Sequence, residues 1–396
     1  MQLARSLLTL VLLATTVAST PTALRVNNDP EYSLQMGSDD LDLNLQDLRL
    51  VQMAPDAEPV WMTELEKIQA KAAGMNFMDI TEAQDFGSLS PIKVQPVLQR
   101  TKAHKAVERV IKELSIDGPV ENLQKFTSFR TRPHVTRQTG RESQKWLVQK
   151  IVETTDKFAG EDLQGLISVS EFPHSWGQNS VVLRINGSSP TDEGVVVIGA
   201  HQDSTNLWPF LPAPGADDDG SGSVTILEAY RALIASDFRP IQHVEFHWYS
   251  AEEGGLLGSQ AVAKDYEKRG VNVIAMSQFD MTAWVKNNTK EEVGIIVDYV
   301  DSEVTELNKQ LVDEYLDIPY VETQCGYACS DHASWSKAGY RSSFTIESAF
   351  ENSNKNIHSV NDRIDISPEF SFTHVLQFSK LAVAFAIELG GWTKSE

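Results

Sequence analysis

Apolar positions open the chain as a single block and later settle into two alternating rhythms. Arg5 precedes an apolar run at 7–13, and small residues fill 14–20. The run is far short of the roughly 20 apolar residues that span a bilayer, so residues 1–20 read as a secretory signal peptide. From about Lys102 onward, Val107, Val110, Ile111 and Leu114 recur at helical spacing, as do Trp146, Leu147, Ile151 and Val152. Helices are also expected over 224–234, 259–268, 304–315 and 375–389. Strands are expected over 181–185, 195–198, 244–249, 273–277 and 294–297. The stretch 195–198 is apolar throughout, as in a strand covered on both faces. Strands interleaved with helices imply an α/β fold: three α/β/α layers around a mixed, mainly parallel central sheet.

Residues 29–66 break this rhythm. They hold ten acids against one basic residue, Arg49, with short alternation such as Leu41-Asp42-Leu43-Asn44-Leu45. That alternation and Trp61 suggest a segment that packs on the rest. The expected organisation is a signal at 1–20, an acidic propeptide at 21–88 and a catalytic domain at 89–396. The net charge of −21 argues against a nucleic-acid partner. No segment after the signal is apolar enough to span a membrane, so a secreted product is expected. Export would let the two cysteines, Cys325 and Cys329, bridge; on one helical turn residues four apart lie about 6 Å apart, within disulfide reach. The sequons at Asn186 and Asn287 fit glycosylation of an exported chain.

Chemistry concentrates just past three of the expected strands. His201 follows 195–198, Glu252 and Glu253 follow 244–249, and Asp280 follows 273–277. Ligands in open α/β sheets bind at the carboxyl ends of strands, so these motifs point to one crevice. His201-Gln-Asp203 lets Asp203 accept a hydrogen bond from the imidazole nitrogen turned away from a metal. Asp217, Asp218 and Asp219 are adjacent carboxylates that repel one another unless a 2+ ion compensates them. Asp218 is the preferred bridging ligand, with Asp217 left open and Asp219 suited to capping the following helix. His358 lies in a polar loop and completes two histidines and three carboxylates, a set that suits two borderline-hard divalent ions. His332 is the competing histidine. Glu252, beside a ligand, is left free as general base.

These phrases resemble a known family. His201-Gln-Asp-Ser, Pro214-Gly-Ala-Asp-Asp-Asp-Gly-Ser-Gly222, Ala251-Glu-Glu-Gly254, Gln278-Phe-Asp-Met281, Cys325-Gly-Tyr-Ala-Cys-Ser-Asp-His332 and Ile357-His-Ser359 are similar to the secreted di-zinc aminopeptidases of the M28 peptidase family, fungal leucine aminopeptidases above all. The resemblance covers about 98–392. It implies two zinc ions per chain, one on His201, Asp218 and Asp280, the other on Asp218, Glu253 and His358, with Glu252 as acid/base. It implies an apolar side-chain pocket of Met281, Ile296, Tyr327 beside the Cys325–Cys329 bridge, Phe350 and Ile357. The substrates implied are peptides with a free N-terminus, and the propeptide is an intramolecular partner. Around Phe344, Thr345, Ile346 and Ser353 the chain departs from the bacterial member of the family, which bears on side-chain preference. A glutaminyl cyclase-like or carboxypeptidase-like relative on the same fold is the alternative.

Overall fold

A computed structural model describes residues 43–54, 57–87, 98–135, 138–189 and 194–393. The expected signal, residues 21–42 and the expected cleavage region near 88–91 lie outside the described residues.

The body is built on an eight-stranded sheet. Along the chain come β4 (Ile167–Phe172), β5 (Ser180–Ile185), β6 (Val195–His201), β7 (His243–Tyr249), β8 (Val273–Phe279), β9 (Val293–Ile296), β10 (Tyr320–Thr323) and β11 (Ser342–Ile346). Their order across the sheet is β10-β9-β11-β8-β6-β7-β5-β4. The pairs β6/β7, β6/β8, β8/β11 and β9/β10 are parallel, whereas β9/β11, β5/β7 and β4/β5 are antiparallel. The sheet is therefore mixed and mainly parallel.

Every residue of β6 is buried, which is what the unbroken run Val195-Val-Val-Ile-Gly-Ala-His201 requires of a central strand. Helices α6 (Gly222–Ala235), α7 (Leu257–Arg269), α8 (Ser302–Tyr315) and α10 (Phe372–Gly390) match the helical periodicities, as do α2 (His104–Ile111) and α4 (Thr139–Phe158). The most apolar of them, α10, is buried along most of its length as a core helix. Asp301 starts α8 by accepting from the amides of Glu303 and Val304. Six elements of the body carried no usable pattern: β4, β10, β11, α3 (Asp117–Thr127), the short α5 (Glu161–Gln164) and the short α9 (His332–Lys337).

The acidic region adds a small second sheet to this body. Strands β1 (Leu48–Gln52), β2 (Val60–Thr63) and β3 (Met78–Asp79) make an antiparallel sheet in the order β2-β1-β3, with helix α1 (Glu64–Ala72) between them. Thr63 and Glu66 cap α1 reciprocally, side chain to backbone in both directions. Two expectations fail here. The alternating stretch around 41–45 is not a strand in its described part, and Trp61 is exposed. Packing falls instead to Leu50, Val51, Met78, Ile80 and Phe86. The cysteines do form a disulfide, with Cα atoms 6.2 Å apart, but in an irregular loop between β10 and α9 rather than on a helical turn.

Candidate metal centre and catalytic cleft

Four side chains of the cleft are delivered by the ends of sheet strands and two by a turn and a loop. His201 is the last residue of β6, Glu252 and Glu253 follow β7, and Asp280 follows β8. Asp218 comes from the irregular turn Ala216–Ser221 that leads into α6. His358 arrives on the loop after β11. Two clusters result, and they share one residue. His201, Asp218 and Asp280 form the first; Asp218, Glu253 and His358 form the second, and within each the potential ligand atoms lie within 4.8 Å of one another.

Asp218 divides its two oxygens between the clusters. Its Oδ1 lies 3.1 Å from His201 Nε2, and its Oδ2 lies 3.0 Å from His358 Nε2. His358 Nε2 is also 3.0 Å from Glu253 Oε2, and His201 Nε2 is 3.6 Å from Asp280 Oδ2. Glu252 reaches the first cluster with Oε2 at 3.9 Å from His201 Nε2. Asp217, the competing bridge, turns away. Its carboxylate accepts from Ser221 Oγ, the Ala283 amide and Asn354 Nδ2. His332 belongs to neither cluster; it is buried, stacks on Phe344 at 4.9 Å and is pushed down to about 3 by burial, so it is neutral.

The donor set fits divalent cations. His201 Nε2, Glu253 Oε1 and Asp280 Oδ1 are buried atoms with no hydrogen-bond partner. Buried polar atoms are normally paired, so three orphans aimed at shared spaces imply a missing electrophile. Protons respond as a cation would. Burial opposes charging of His358, yet Glu253 and Asp218 outweigh it and raise the imidazole to about 9. Burial likewise opposes charging of His201, which Asp280 and Glu252 nonetheless hold well above the ordinary range. Burial drives the Glu252 carboxyl well above its usual value, with the Glu253 charge adding to the effect.

Supporting groups fix these atoms. His201 Nδ1 faces the Asp203 carbonyl oxygen at 3.1 Å; a carbonyl only accepts, so the ring donates there and leaves Nε2 with its lone pair toward the cluster. The expected Asp203 side chain also lies near, with Oδ1 3.5 Å from His201 Nδ1. That carboxylate also accepts from the amides of Glu252 and Glu253, at 3.1 and 3.3 Å, and so positions both glutamates. Asp219 accepts from the amides of His201, Gly222 and Met281, which ties β6, α6 and the end of β8 together. Asp362 takes the amides of Asp217 and Asp218. Ser330 Oγ donates to Asp280 Oδ2 at 2.6 Å. Fully buried Arg132 donates to the carbonyls of Gln202, Pro214 and Gly215, joining the loops of His201 and Asp218. Ala251, Met281 and His358 hold left-handed backbone, at φ 57°, 58° and 54°. Such strain costs about 1–3 kcal/mol per residue and persists where surrounding bonds over-determine the loop.

A cavity of about 240 Å³ opens onto these atoms, walled by Met281, Tyr327, Phe344, Ile346, Phe350 and Ile357. Ile296, expected on this wall, is fully buried; it packs with Met281, Phe344 and Ile346 behind the surface. The cavity has a lid that the motifs did not announce. Lys71 Nζ, from α1, lies 2.6 Å from Glu253 Oε2 and donates to the Glu253 carbonyl at 2.9 Å. Met75 and Phe77 of the same segment close in beside it. Of the sequons, Asn287 is exposed, while Asn186 is partly buried and accepts from Arg184.

Clustered carboxylates and imidazoles at the carboxyl ends of parallel strands, beside an apolar hollow, define a metal-dependent hydrolase site. Comparison with known proteins agrees. Residues 180–381 match the model of Peptidase family M28. Leucine aminopeptidase 1 of Neurospora crassa is 48% identical over 341 residues, covering 83% of this chain and 82% of that relative. Leucine aminopeptidase 1 of Penicillium rubens is 43% identical over 388 residues, covering 94% and 97%. The solved structure of the LapA aminopeptidase of Legionella pneumophila superposes with a TM-score of 0.76 at 28% identity, over 88% of this chain and all of that one. The chain belongs to peptidase family M28. It is a metallo-aminopeptidase, a hydrolase of peptide bonds.

Proposed function

We propose that the chain is a secreted zinc aminopeptidase that releases leucine and other apolar residues from the N-termini of peptides. The observation that carries this reading is the Asp218 carboxylate, which offers one oxygen to each histidine and so makes two clusters into one paired site. His201, Asp218 and Asp280 would hold one zinc, and Asp218, Glu253 and His358 the other. When bound, the pair acidifies water and polarises the scissile carbonyl. Glu252 takes a proton from the attacking water and returns it to the departing amine as the carbon–nitrogen bond breaks. Its raised proton affinity suits a group that must both accept and give. The apolar wall from Met281 to Ile357 receives the side chain of the first residue.

Restriction to N-termini has support in the same place. The nitrogen of Lys71 stands against Glu253, and the α-amine of a substrate, as the free base, would take the same place. Lys71 then also gives residues 21–88 their role. The segment is a prosegment whose ammonium and whose Met75 and Phe77 occupy the cleft until it is removed. The decisive measurement is zinc content together with hydrolysis of leucine amide, before and after chelation. Two equivalents of zinc and loss of turnover on their removal are expected; full turnover by metal-free protein would end the reading.

A further inference from the structure

The loop that follows the first metal cluster is built to hold apolar side chains in solvent. Leu207, Trp208, Phe210 and Leu211 are 37, 41, 53 and 44% exposed. The loop is not slack. Asn206 Nδ2 donates to the Pro212 carbonyl, the Trp208 amide to Asn206 Oδ1, and the Leu211 amide to the Trp208 carbonyl. The Trp208 and Phe210 rings lie 6.1 Å apart. Four large apolar groups held out in one ordered loop form an exposed patch of the kind that marks a binding surface.

Its position says what binds. The Leu207 amide donates to the His358 carbonyl at 3.0 Å, so the loop begins on a residue of the cleft. Behind it, Leu207, Pro209, His134, Glu253 and Gly254 border a second hollow that meets the apolar cavity at Lys71, Phe77 and Glu253. A chain is already seated there: Leu43, Ile68 and Phe77 of the N-terminal segment line the same hollow, with Glu64, Lys67 and Lys71 beside them. A peptide whose first side chain fills the cavity at Met281 and Phe350 must send the rest of its chain out of the cleft past the scissile bond. Leu207 and Pro209 bring the loop onto this hollow, which offers the exit, with Trp208, Phe210 and Leu211 exposed beside it.

The geometry points to a leaving-side subsite at residues 207–211 that takes apolar residues following the scissile bond. The inference rests on the aminopeptidase reading above. It assigns the enzyme a preference for peptides whose second and third residues are aromatic or aliphatic, the chemistry that Ile68 and Phe77 present there now.

The test compares leucyl-phenylalanyl-phenylalanine with leucine amide, which has nothing beyond the scissile bond, using enzyme matured from the full chain. In the exposed double variant Trp208→Ser/Phe210→Ser, the ratio of kcat/KM for the tripeptide over that for the amide should fall about tenfold. Tyrosine at both positions should restore it, and the thermal midpoint should not move. An unchanged ratio overturns the subsite while leaving the aminopeptidase reading intact; so does an unchanged ratio accompanied by loss of a dimer on gel filtration, which would make the loop an interface between copies. Wild-type enzyme that cleaves neither compound overturns the underlying reading instead.

Discussion

The body from Leu98 to Thr393 and the segment from Leu43 to Gly87 are held by different forces. The body is organised on one large apolar cluster that runs from Val107 on α2 through the central strands to Trp392. No described residue before Leu98 belongs to it. The segment is held mainly by charge. Asp79, buried, takes Lys67 at 2.9 Å and Arg49 at 2.7 Å, and Lys67 also meets Glu64 at 3.0 Å. Across the seam, Lys71 meets Glu253, Lys67 donates to the Gly254 carbonyl, and the Asp79 amide donates to the Gly255 carbonyl. Apolar contact is small: Leu50, Met78 and Ile80 meet Leu256 and Ala333, and Ala83 and Phe86 join the cluster around Trp335. Apolar burial carries most of the free energy of folding, whereas ion pairs close to balance their own desolvation. The main core of the body therefore closes without the segment, which joins it through two smaller apolar clusters and these polar contacts.

The largest expected effect lies wholly on the body. Glu252→Gln keeps the shape and the neighbouring donors but removes the proton carrier. Turnover of leucine amide should fall roughly 10²–10⁴-fold, the usual worth of general acid–base catalysis, with zinc content unchanged. It should fall equally in trimmed and untrimmed protein. Near-normal kcat in the variant would take the base away from Glu252.

A smaller effect crosses the seam. Lys71→Ala removes the ammonium from Glu253 but leaves the other anchors of α1 in place. Untrimmed protein carrying it should hydrolyse leucine amide about tenfold faster than the untrimmed parent, as expected for a partly buried charged contact worth about 1.5–3 kcal/mol. It should also bind its second zinc more tightly in a titration. Equal rates and equal zinc affinity in the two proteins would mean that Lys71 is a passenger at the cleft.

The same contrast explains what could be read in advance. Strands β5 to β9 and helices α6, α7, α8 and α10 were legible because apolar burial writes a period into the sequence. Strand β11 was not, since its buried Ser342, Ser343 and Thr345 look like loop residues. They are tolerable inside because they are hydrogen-bonded; Asn308 Nδ2, for example, donates to Ser343 Oγ at 2.9 Å. His201, Glu252, Glu253 and Asp280 were legible because each ends or closely follows a strand, and Asp218 because it sits in a run of three carboxylates. Their supports were not. Asp362 reaches Asp218 across 144 residues, and Arg132 reaches Gln202 across 70, with no motif to announce either. The segment hid its contacts with the body for a related reason: an acidic composition conceals two cations, Lys67 and Lys71, that make them.

The gentlest way to separate the two regions is acid. Burial disfavours charge on Asp79, but Lys67 and Arg49 outweigh it and hold the carboxyl below its ordinary value of 3.8. A lowered folded pKa means the folded, attached form binds its proton more weakly than the free segment does. The stabilisation is complete above about 3.8 and disappears as the pH falls through the lower, attached value. Glu253 is depressed in the same sense, through His358 and Lys71 against the burial that opposes it. Protonation there loosens Lys71 as well. Attachment should thus be insensitive to pH in the neutral range and weaken only in strong acid, before the apolar core of the body responds. Limited proteolysis between 43 and 87 as a function of pH measures this directly. Asp79→Asn should make the segment cleavable at neutral pH and flatten the acid response. Cleavage that instead tracks the unfolding of the body at every pH would erase the distinction between core and attachment.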